Sequence, residues 1–138
     1  TPLLGFIFRH SGAIPIAPAK EDPERLEQAF IRIDQALAEG ELVGIFPEGA
    51  ITRDGEMQPF RPGVTRILHT QPVPVIPMGL SGLWGSFFSR IEGKAMCKPF
   101  RRGLFSPVGL KIGAPLAPEN ASPQQLFDQV RALRGDIL

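Results

Sequence analysis

The sequence predicts an α/β fold with a mainly parallel sheet flanked by helices. Two short apolar runs, residues 42–46 and 73–80, have the pattern of strands that are buried in a parallel sheet. Amphipathic helical segments alternate with these runs, as they do in parallel α/β proteins. A chain of 138 residues can form one hydrophobic core, so we expect a single domain over residues 1–138.

The first part of the chain predicts a β-α-β unit. A short strand is expected at residues 13–16. Asp22 can then cap a helix with Pro23 at its first position, and Gly40 can end that helix. The helix carries apolar residues at helical spacing, namely Leu26, Phe30, Ile33 and Leu37. It leads directly into the buried strand at 42–46, which completes the unit.

The second part predicts two more helices and a last strand. Residues 62–70 begin with proline and have the apolar spacing of a short helix, and residues 108–112 have the pattern of a strand. Ser122 and Gln125 form the sequence signature of a capping box for a final helix that ends at Gly135. The apolar face of this helix would consist of Leu126, Val130 and Leu133.

Composition and charge exclude several classes of function. The net charge of +1 argues neither for nor against nucleic-acid binding, but no RNA- or DNA-reading motif occurs, so we expect none. The single Cys97 cannot form an internal disulfide, and no Cys/His cluster has the spacing of metal ligands. The sequence contains no apolar run of about 18 residues, the length that a membrane-spanning helix needs.

The turn at residues 46–49 carries the strongest functional signal. Pro47 stops the preceding strand, and Gly49 allows a tight turn or the close approach of a ligand. Ligands of open α/β sheets bind where the strands end at their carboxyl edge. The turn has one carboxylate, and Arg53 and Arg61 follow a few residues later. This arrangement predicts a site for a polar, for example phosphorylated, substrate.

Three segments resemble those of the glycerophospholipid (lysophosphatidate-type) acyltransferases, in the same order and at the same spacing. Residues 46–49 are similar to the Phe-Pro-Glu-Gly signature of that family, residues 60–63 to its F-basic-x-G segment, and residues 73–79 to its VPVIPV strand. The resemblance covers roughly residues 12–111. It is strongest to modules that are fused to bacterial transporters or to acyl-carrier-protein synthetases, whose local form is IFPEG-x-I-T, as in residues 45–52.

The resemblance implies a glycerol-3-phosphate acyltransferase-like fold whose catalytic residues are missing here. In the family, a His-x-x-x-x-Asp pair supplies the general base, and the aspartate orients the histidine. Neither His10 nor His69 is followed by an aspartate at that spacing. The pair would lie before Thr1, and residues 1–10 have the pattern of the end of a helix. We therefore expect an N-terminally truncated acyltransferase domain that is inactive alone.

The resemblance also implies a set of substrate-binding residues, which are Phe46, Pro47, Glu48, Gly49, Arg53, Arg61, Gly63 and Pro77. Glu48 would hold a polar group of the acceptor or support the missing histidine, or it is a solvated carboxylate that caps its turn. Arg61 and Arg53 are candidates for binding an acceptor phosphate, because the guanidinium fork matches pairs of phosphate oxygens. The alternative is that both are ordinary surface arginines. Many family members have an arginine where Ala50 or Ile51 stands here, so either Arg53 substitutes for it or the head group is bound differently.

A later segment has features of a membrane-contacting surface. Trp84, Phe87 and Phe88 are aromatic residues in a glycine-rich loop, and residues 90–102 contain five basic residues and one acidic residue. These residues either contact lipid or form loop packing and a solvated surface. The resemblance implies a location at the cytoplasmic face of a membrane, either peripheral or anchored by other parts of a longer chain.

The implied activity is the transfer of a fatty acyl group from acyl-CoA or acyl-carrier protein to a hydroxyl of a lysophospholipid or glycerol phosphate, in phospholipid biosynthesis or remodelling. No metal or tightly bound cofactor is implied, because the acyl thioester is a co-substrate. The alternative is a non-catalytic module of a fusion protein that binds lipid or phosphate. A nucleotide-binding α/β domain is disfavoured, because no Gly-x-Gly-x-x-Gly or Walker lysine loop occurs.

Overall fold

The computed structural model describes residues 12–18, 20–84 and 107–135. The chain divides into two compact units, Thr1–Gly44 and Ile45–Leu138. The described part of the first unit contains helix α1 (Pro23–Ala38). The described part of the second contains, in order, helix α2 (Gly63–Thr70), strand β1 (Met78–Ser81), strand β2 (Gly109–Ile112), a 3-10 turn (Pro118–Asn120) and helix α3 (Pro123–Arg134).

Helix α1 begins and ends where the sequence predicts. The Asp22 Oδ1 atom accepts a hydrogen bond of 2.9 Å from the backbone N–H of Arg25, which satisfies one of the free N–H groups of the first turn. Ala29 and Ile33 are the buried residues of the helix. Gly40 follows the helix with a φ of 81°, a left-handed conformation that glycine adopts without strain.

Helix α3 also follows the prediction. The Ser122 hydroxyl accepts from the N–H of Gln125, and the Gln125 side chain accepts from the N–H of Ser122, both at 3.3 Å. This reciprocal pair is the predicted capping box. Gly135 ends the helix with a φ of 69°. Helix α2 ends at Thr70 as predicted, but Pro62 occupies the N-cap position before the helix, and Gly63 is its first residue.

The sheet of the second unit pairs β1 with β2 in antiparallel orientation. Met78 lies opposite Ile112 and Ser81 opposite Gly109, and Val75 and Leu116 form an isolated antiparallel bridge. The strand predicted at 108–112 is thereby confirmed to within one residue. The strand predicted at 73–80 becomes regular only from Met78, because the prolines before it have no N–H to donate to a ladder. This is the only sheet in the described ranges, so the predicted mainly parallel sheet is not confirmed.

The strands predicted at residues 13–16 and 42–46 are wrong, because the structure forms neither. Leu42 is 99% exposed and Phe46 is 80% exposed, so the second run is not buried either. An apolar run gains stability from burial, but a strand also needs a neighbouring strand that pairs with its backbone. No strand among the described residues pairs with residues 42–46, and the predicted β-α-β unit is therefore absent from them.

The core of the second unit lies between α2 and α3. Its buried residues are Val64, Ala121 and Leu126, and Phe60, Leu68, Val75 and Leu116 are half-buried around them. The rings of Phe60 and Phe127 meet edge to face, with centroids 5.4 Å apart and an angle of 81° between the ring planes. Phe60 directly precedes Arg61, so this apolar packing fixes the backbone next to a candidate site residue.

The last turn of α3 lies directly against the sheet. A Cβ atom on Gly79 would be 2.7 Å from the backbone nitrogen of Arg134 and 2.9 Å from the Cβ of Leu133. A Cβ on Gly113 would be 3.0 Å from the Cδ1 of Leu133. The two glycines therefore allow the helix to approach more closely than any larger residue would.

Several predictions fall on residues that the structure does not describe. They are the helix end at residues 1–10, His10, the aromatic residues Phe87 and Phe88, Cys97 and the basic segment at residues 90–102. Within the described ranges, no helix has the length and apolar character needed to cross a membrane. The same ranges contain no group of three or more His, Cys, Asp or Glu residues that could hold a metal ion.

Candidate functional site

The candidate site is built on the turn at residues 46–49. The N–H of Gly49 donates to the carbonyl of Phe46 at 3.1 Å, which closes the turn. Gly49 has a φ of 63°, so the turn needs a residue that adopts the left-handed region without strain. The carbonyl of Pro47 accepts from the N–H of Arg61 at 2.9 Å, and this bond joins the turn to the segment before α2.

The carboxylate of Glu48 has a defined direction. Its Oε2 atom accepts a hydrogen bond of 2.7 Å from the backbone N–H of Gln58, and both residues are half-buried. A hydrogen bond to a charged acceptor is stronger than one between neutral groups, so it can hold the carboxylate in one orientation. A carboxylate has several acceptor positions, so one hydrogen bond to Oε2 does not use its full capacity to accept.

Arg61 lies over the same turn. Its Nε atom donates to the backbone carbonyl of Glu48 at 3.1 Å. A Cβ on Gly49 would be 3.0 Å from this Nε and 3.1 Å from the Cδ of Arg61, so the missing side chain makes room for the arginine. Arg61 is exposed, and the two terminal nitrogens of a guanidinium carry four further N–H donors. The structure thus brings together three of the predicted site residues, Glu48, Gly49 and Arg61.

Gly63 is the first residue of α2, two positions after Arg61. The residue before it is Pro62, which makes no side-chain capping bond. The first N–H groups of a helix have no partner within the helix, and they favour negative charge. The N-terminus of α2 thus follows Arg61 closely in the chain, and a helix N-terminus and a guanidinium both favour an anion.

The other predicted site residues have less direct links to this turn. Phe46 belongs to the turn, but its side chain is exposed. Arg53 is exposed, and its side chain takes no part in the hydrogen bonds described between residues 48 and 61. Pro77 is buried, and its carbonyl accepts from the N–H of Gly113 at 2.9 Å, which is a contact of the scaffold. His69 is exposed in the last turn of α2.

The loop between Glu48 and Arg61 is organised by local hydrogen bonds. The Thr52 hydroxyl donates to Oδ1 of Asp54 at 2.9 Å and accepts from the N–H of Gly55 at 3.1 Å. The N–H of Glu56 donates to the same Oδ1 atom at 3.1 Å. The Thr52 hydroxyl, and after it the Glu56 N–H, hold the pKa of Asp54 below its ordinary value, because both bonds favour the charged carboxylate.

Two residues far along the chain, Trp84 and Arg134, contact this loop, and sequence reasoning did not identify the role of Arg134. Gly55 is buried with a φ of 88°, and a Cβ on it would lie 2.9 Å from two indole carbons of Trp84. This position of Trp84 corresponds to the loop-packing alternative. The Arg134 guanidinium donates through Nη2 to the carbonyl of Gly55. The Asp-Gly pair marks a turn in the sequence, but no local signal links it to residues 84 and 134.

Comparison with known proteins places most of these residues in a family segment. A family model described as Acyltransferase matches residues 1–81. A chloroplastic 1-acyl-sn-glycerol-3-phosphate acyltransferase of Brassica napus is 31% identical over 81 residues, which make up 59% of this chain and 23% of that protein. A chloroplastic protein of the same description from Arabidopsis thaliana is 28% identical over 81 residues, 59% of this chain and 22% of its own length. No solved structure matches.

The matched segment includes the turn at residues 46–49, Arg61 and Gly63, whereas β2 and α3 lie after it. The chain spans less than a quarter of the length of these two relatives. The family model nevertheless matches more than half of the chain. The chain therefore belongs to the acyltransferase family.

Proposed function

We propose that a protein containing this chain transfers a fatty acyl group from a thioester to a hydroxyl of a lysophosphatidate-like lipid or glycerol phosphate. The observation that carries the proposal is that the Arg61 guanidinium binds the backbone carbonyl of Glu48, whose carboxylate is oriented by the Gln58 N–H, inside the family segment. A lipid phosphate carries both an anionic group and nearby hydroxyl groups. The two side chains offer complementary partners for these groups.

In this proposal, the acceptor phosphate binds to the terminal nitrogens of Arg61 and to the free N–H groups at the start of α2. The Oε1 atom of Glu48 accepts a hydrogen bond from an acceptor hydroxyl and so orients it. Positioning of this kind lowers the activation free energy, because the reacting groups no longer have to be brought together by diffusion. No metal ion is needed for this part of the reaction.

The chemical step is a balanced acyl transfer. The acceptor oxygen forms a bond to the thioester carbonyl carbon, the carbon–sulfur bond breaks, and the hydroxyl proton passes through a base to the leaving thiolate. We assign the base to residues outside this chain, because neither histidine has an aspartate at the His-x-x-x-x-Asp spacing. The chain alone is therefore expected to be inactive.

We propose further that the donor is acyl-CoA or acyl-carrier protein, and that the site of action is the cytoplasmic face of a membrane. For the complete domain we retain a mainly parallel sheet of the glycerol-3-phosphate acyltransferase type.

The second candidate function is a non-catalytic module that binds lipid or phosphate. It is favoured by one observation, since the chain contains a candidate anion site without the family's histidine–aspartate pair. The coding sequence upstream of Thr1 separates the two candidates. An intact His-x-x-x-x-Asp pair there favours the enzyme, and its absence favours the binding module.

Acyl transfer from a labelled thioester to a panel of lysophospholipids tests the proposal. The samples are the 138-residue chain and a version extended upstream of Thr1 by the residues that its gene encodes. We expect transfer only by the extended version, and a loss of about a hundredfold in kcat/KM for the acceptor with Glu48→Ala. Glu56→Ala is the matched control, because it removes an exposed carboxylate from the same loop.

Three results would contradict this proposal. A folded extended version that binds lysophospholipid without transfer would favour the binding module. Equal losses with Glu48→Ala and Glu56→Ala would remove Glu48 from the acceptor site. Transfer by the 138-residue chain itself would refute the assignment of the base to residues outside it.

A further inference from the structure

We propose that Arg134, the last residue of α3, is a positioning residue that holds the Glu48 carboxylate in place through the loop at residues 52–58. Arg134 lies beyond the segment that the family model matches, and neither sequence pattern nor family resemblance assigns it a role. The inference rests on the proposed function, since it concerns the geometry of the same acceptor site. It is carried by three consecutive sets of contacts.

The first set fixes the backbone of Arg134. The last turn of α3 is seated on β1 at Gly79, where a Cβ atom would be only 2.7 Å from the Arg134 nitrogen. Leu133 contacts the same glycine and also Gly113. The helix is in addition held by its capping box and by Leu126 in the core. The backbone of Arg134 is therefore held in close contact with β1.

The second set joins Arg134 to the loop. Its guanidinium donates to the carbonyl of Gly55, 79 residues earlier in the chain, in a half-buried position. The indole ring of Trp84 packs against Gly55 on the side where a Cβ atom would otherwise lie. A charged donor to a partly buried carbonyl is among the stronger kinds of hydrogen bond in proteins. Gly55 is thus held by a cation at its carbonyl and by an indole at its Cα.

The third set passes from Gly55 to Glu48. Gly55 and Glu56 are fixed to Thr52 and Asp54 by the hydrogen bonds described above. Two residues later, the N–H of Gln58 donates to Oε2 of Glu48 at 2.7 Å. The position of that N–H depends on the path of the loop, and the loop is otherwise held mostly by bonds within itself. Phe60 packs in the core two residues after Gln58. Without Arg134, the part of the loop before Gln58 would keep the contact of Gly55 with Trp84 but would lose its hydrogen bond to α3.

Hydrogen exchange measured by mass spectrometry tests this link in the protein that carries the chain. We expect Arg134→Ala to accelerate exchange in peptides covering residues 53–60 by about tenfold, because one charge-assisted hydrogen bond is lost. Arg134→Lys keeps a cation that can reach the carbonyl, so its effect should be smaller. Arg131→Ala is the matched control, because it removes an exposed arginine from the same helix. Peptides covering residues 116–126 report on the core.

Each outcome of the exchange measurement decides the proposal. Acceleration at residues 53–60 with an unchanged core, rescued in part by lysine, supports it. Unchanged exchange at residues 53–60 overturns it. Equal acceleration of loop and core also overturns it, because Arg134 would then only stabilise the fold. If Arg134→Ala does not fold, exchange at residues 53–60 is compared between Arg134→Lys and Arg131→Ala. Faster exchange in Arg134→Lys supports the proposal, and equal exchange overturns it.

Acyl transfer by the extended version distinguishes this inference from the proposed function. We expect Arg134→Ala to lower kcat/KM for the acceptor about tenfold, with the KM of the thioester donor unchanged, because the acceptor hydroxyl is less well oriented. If the unmodified protein shows no transfer, the proposed function fails, while the exchange measurement still decides the link. If the unmodified protein is active and Arg134→Ala is equally active, the positioning role fails.

Discussion

Two regions of the second unit are held together in different ways. Apolar contacts hold the scaffold of α2, α3 and the sheet, around the buried residues Val64, Ala121 and Leu126. Polar contacts hold the loop at residues 48–61, where hydrogen bonds join Glu48 to Gln58 and to Arg61. Burial of apolar surface is non-directional, whereas each hydrogen bond fixes a specific direction. The scaffold therefore supplies stability, and the loop supplies the orientation of the candidate site.

This difference predicts that the two regions respond differently to substitution. A change in the scaffold should lower the free energy of unfolding of the whole unit. A change in the loop should cost less stability and alter mainly the local geometry. The single Trp84 is a suitable probe for both, because its indole lies against Gly55 in the second unit.

The largest effect is expected from Leu126→Ala. Leu126 is 4% exposed, and truncation of a buried leucine leaves a cavity, so the free energy of unfolding should fall by about 2–4 kcal/mol. Leu110→Ala is the matched control, because Leu110 is 54% exposed and should change stability by less than about 0.5 kcal/mol. Urea unfolding followed by Trp84 fluorescence measures both. Similar losses for the two variants would contradict the position of the core.

An intermediate effect is expected from Gly49→Ala. A side chain at a φ of 63° is strained, and the new Cβ would meet the Arg61 side chain at 3.0 Å. The backbone strain alone should cost about 1–2 kcal/mol in the free energy of unfolding. In addition, the guanidinium should be displaced from the Glu48 carbonyl.

Gly49→Ala in an Arg61→Ala background separates the two contributions. Truncation of Arg61 removes the side chain that the new Cβ would meet, so only the backbone strain at Gly49 remains. The difference in urea unfolding between the effects of Gly49→Ala with and without the Arg61 side chain measures the cost of moving Arg61. A difference of zero would mean that the Arg61 side chain moves aside at no cost in the free energy of unfolding, and that its position does not require glycine at residue 49.

The smallest effect is expected from protonation of Asp54. Its pKa is lowered from the ordinary 3.8, chiefly by the Thr52 hydroxyl, so its bonds favour the folded loop above pH 3.8 and are lost only as the pH falls through the lower folded-state value. No change from this group is expected near neutral pH. NMR titration of the Asp54 carboxyl carbon measures the pKa, which should move back towards 3.8 in Thr52→Val. An identical pKa in that variant would rule out the hydroxyl as the main cause.

The sequence predicts Glu48, Gly49 and Arg61 as site residues from a turn signal and a family resemblance, and the structure places Arg61 against the backbone of the other two. Glu48 and Gly49 are neighbours in the turn, but Arg61 is 13 residues from Glu48 and is joined to the turn by the bond from its N–H to the Pro47 carbonyl. Arg53 is predicted on the same grounds, but its side chain takes no part in the hydrogen bonds described around Glu48. An arginine in an exposed loop has no local contact that fixes its direction, and sequence spacing cannot supply one.

By itself, the sequence determined the ends of α1 and α3 and the turn at Glu48, because caps, glycines with positive φ and tight turns depend on neighbours within a few residues. The tertiary structure alone decided that the two described strands pair antiparallel, that the apolar run at residues 42–46 remains exposed, and that Arg134 reaches Gly55 across 79 residues. These features depend on which distant segments meet. Hydrophobicity and spacing specify what each segment can bury, but the partner that it meets is chosen by the packing of the whole unit.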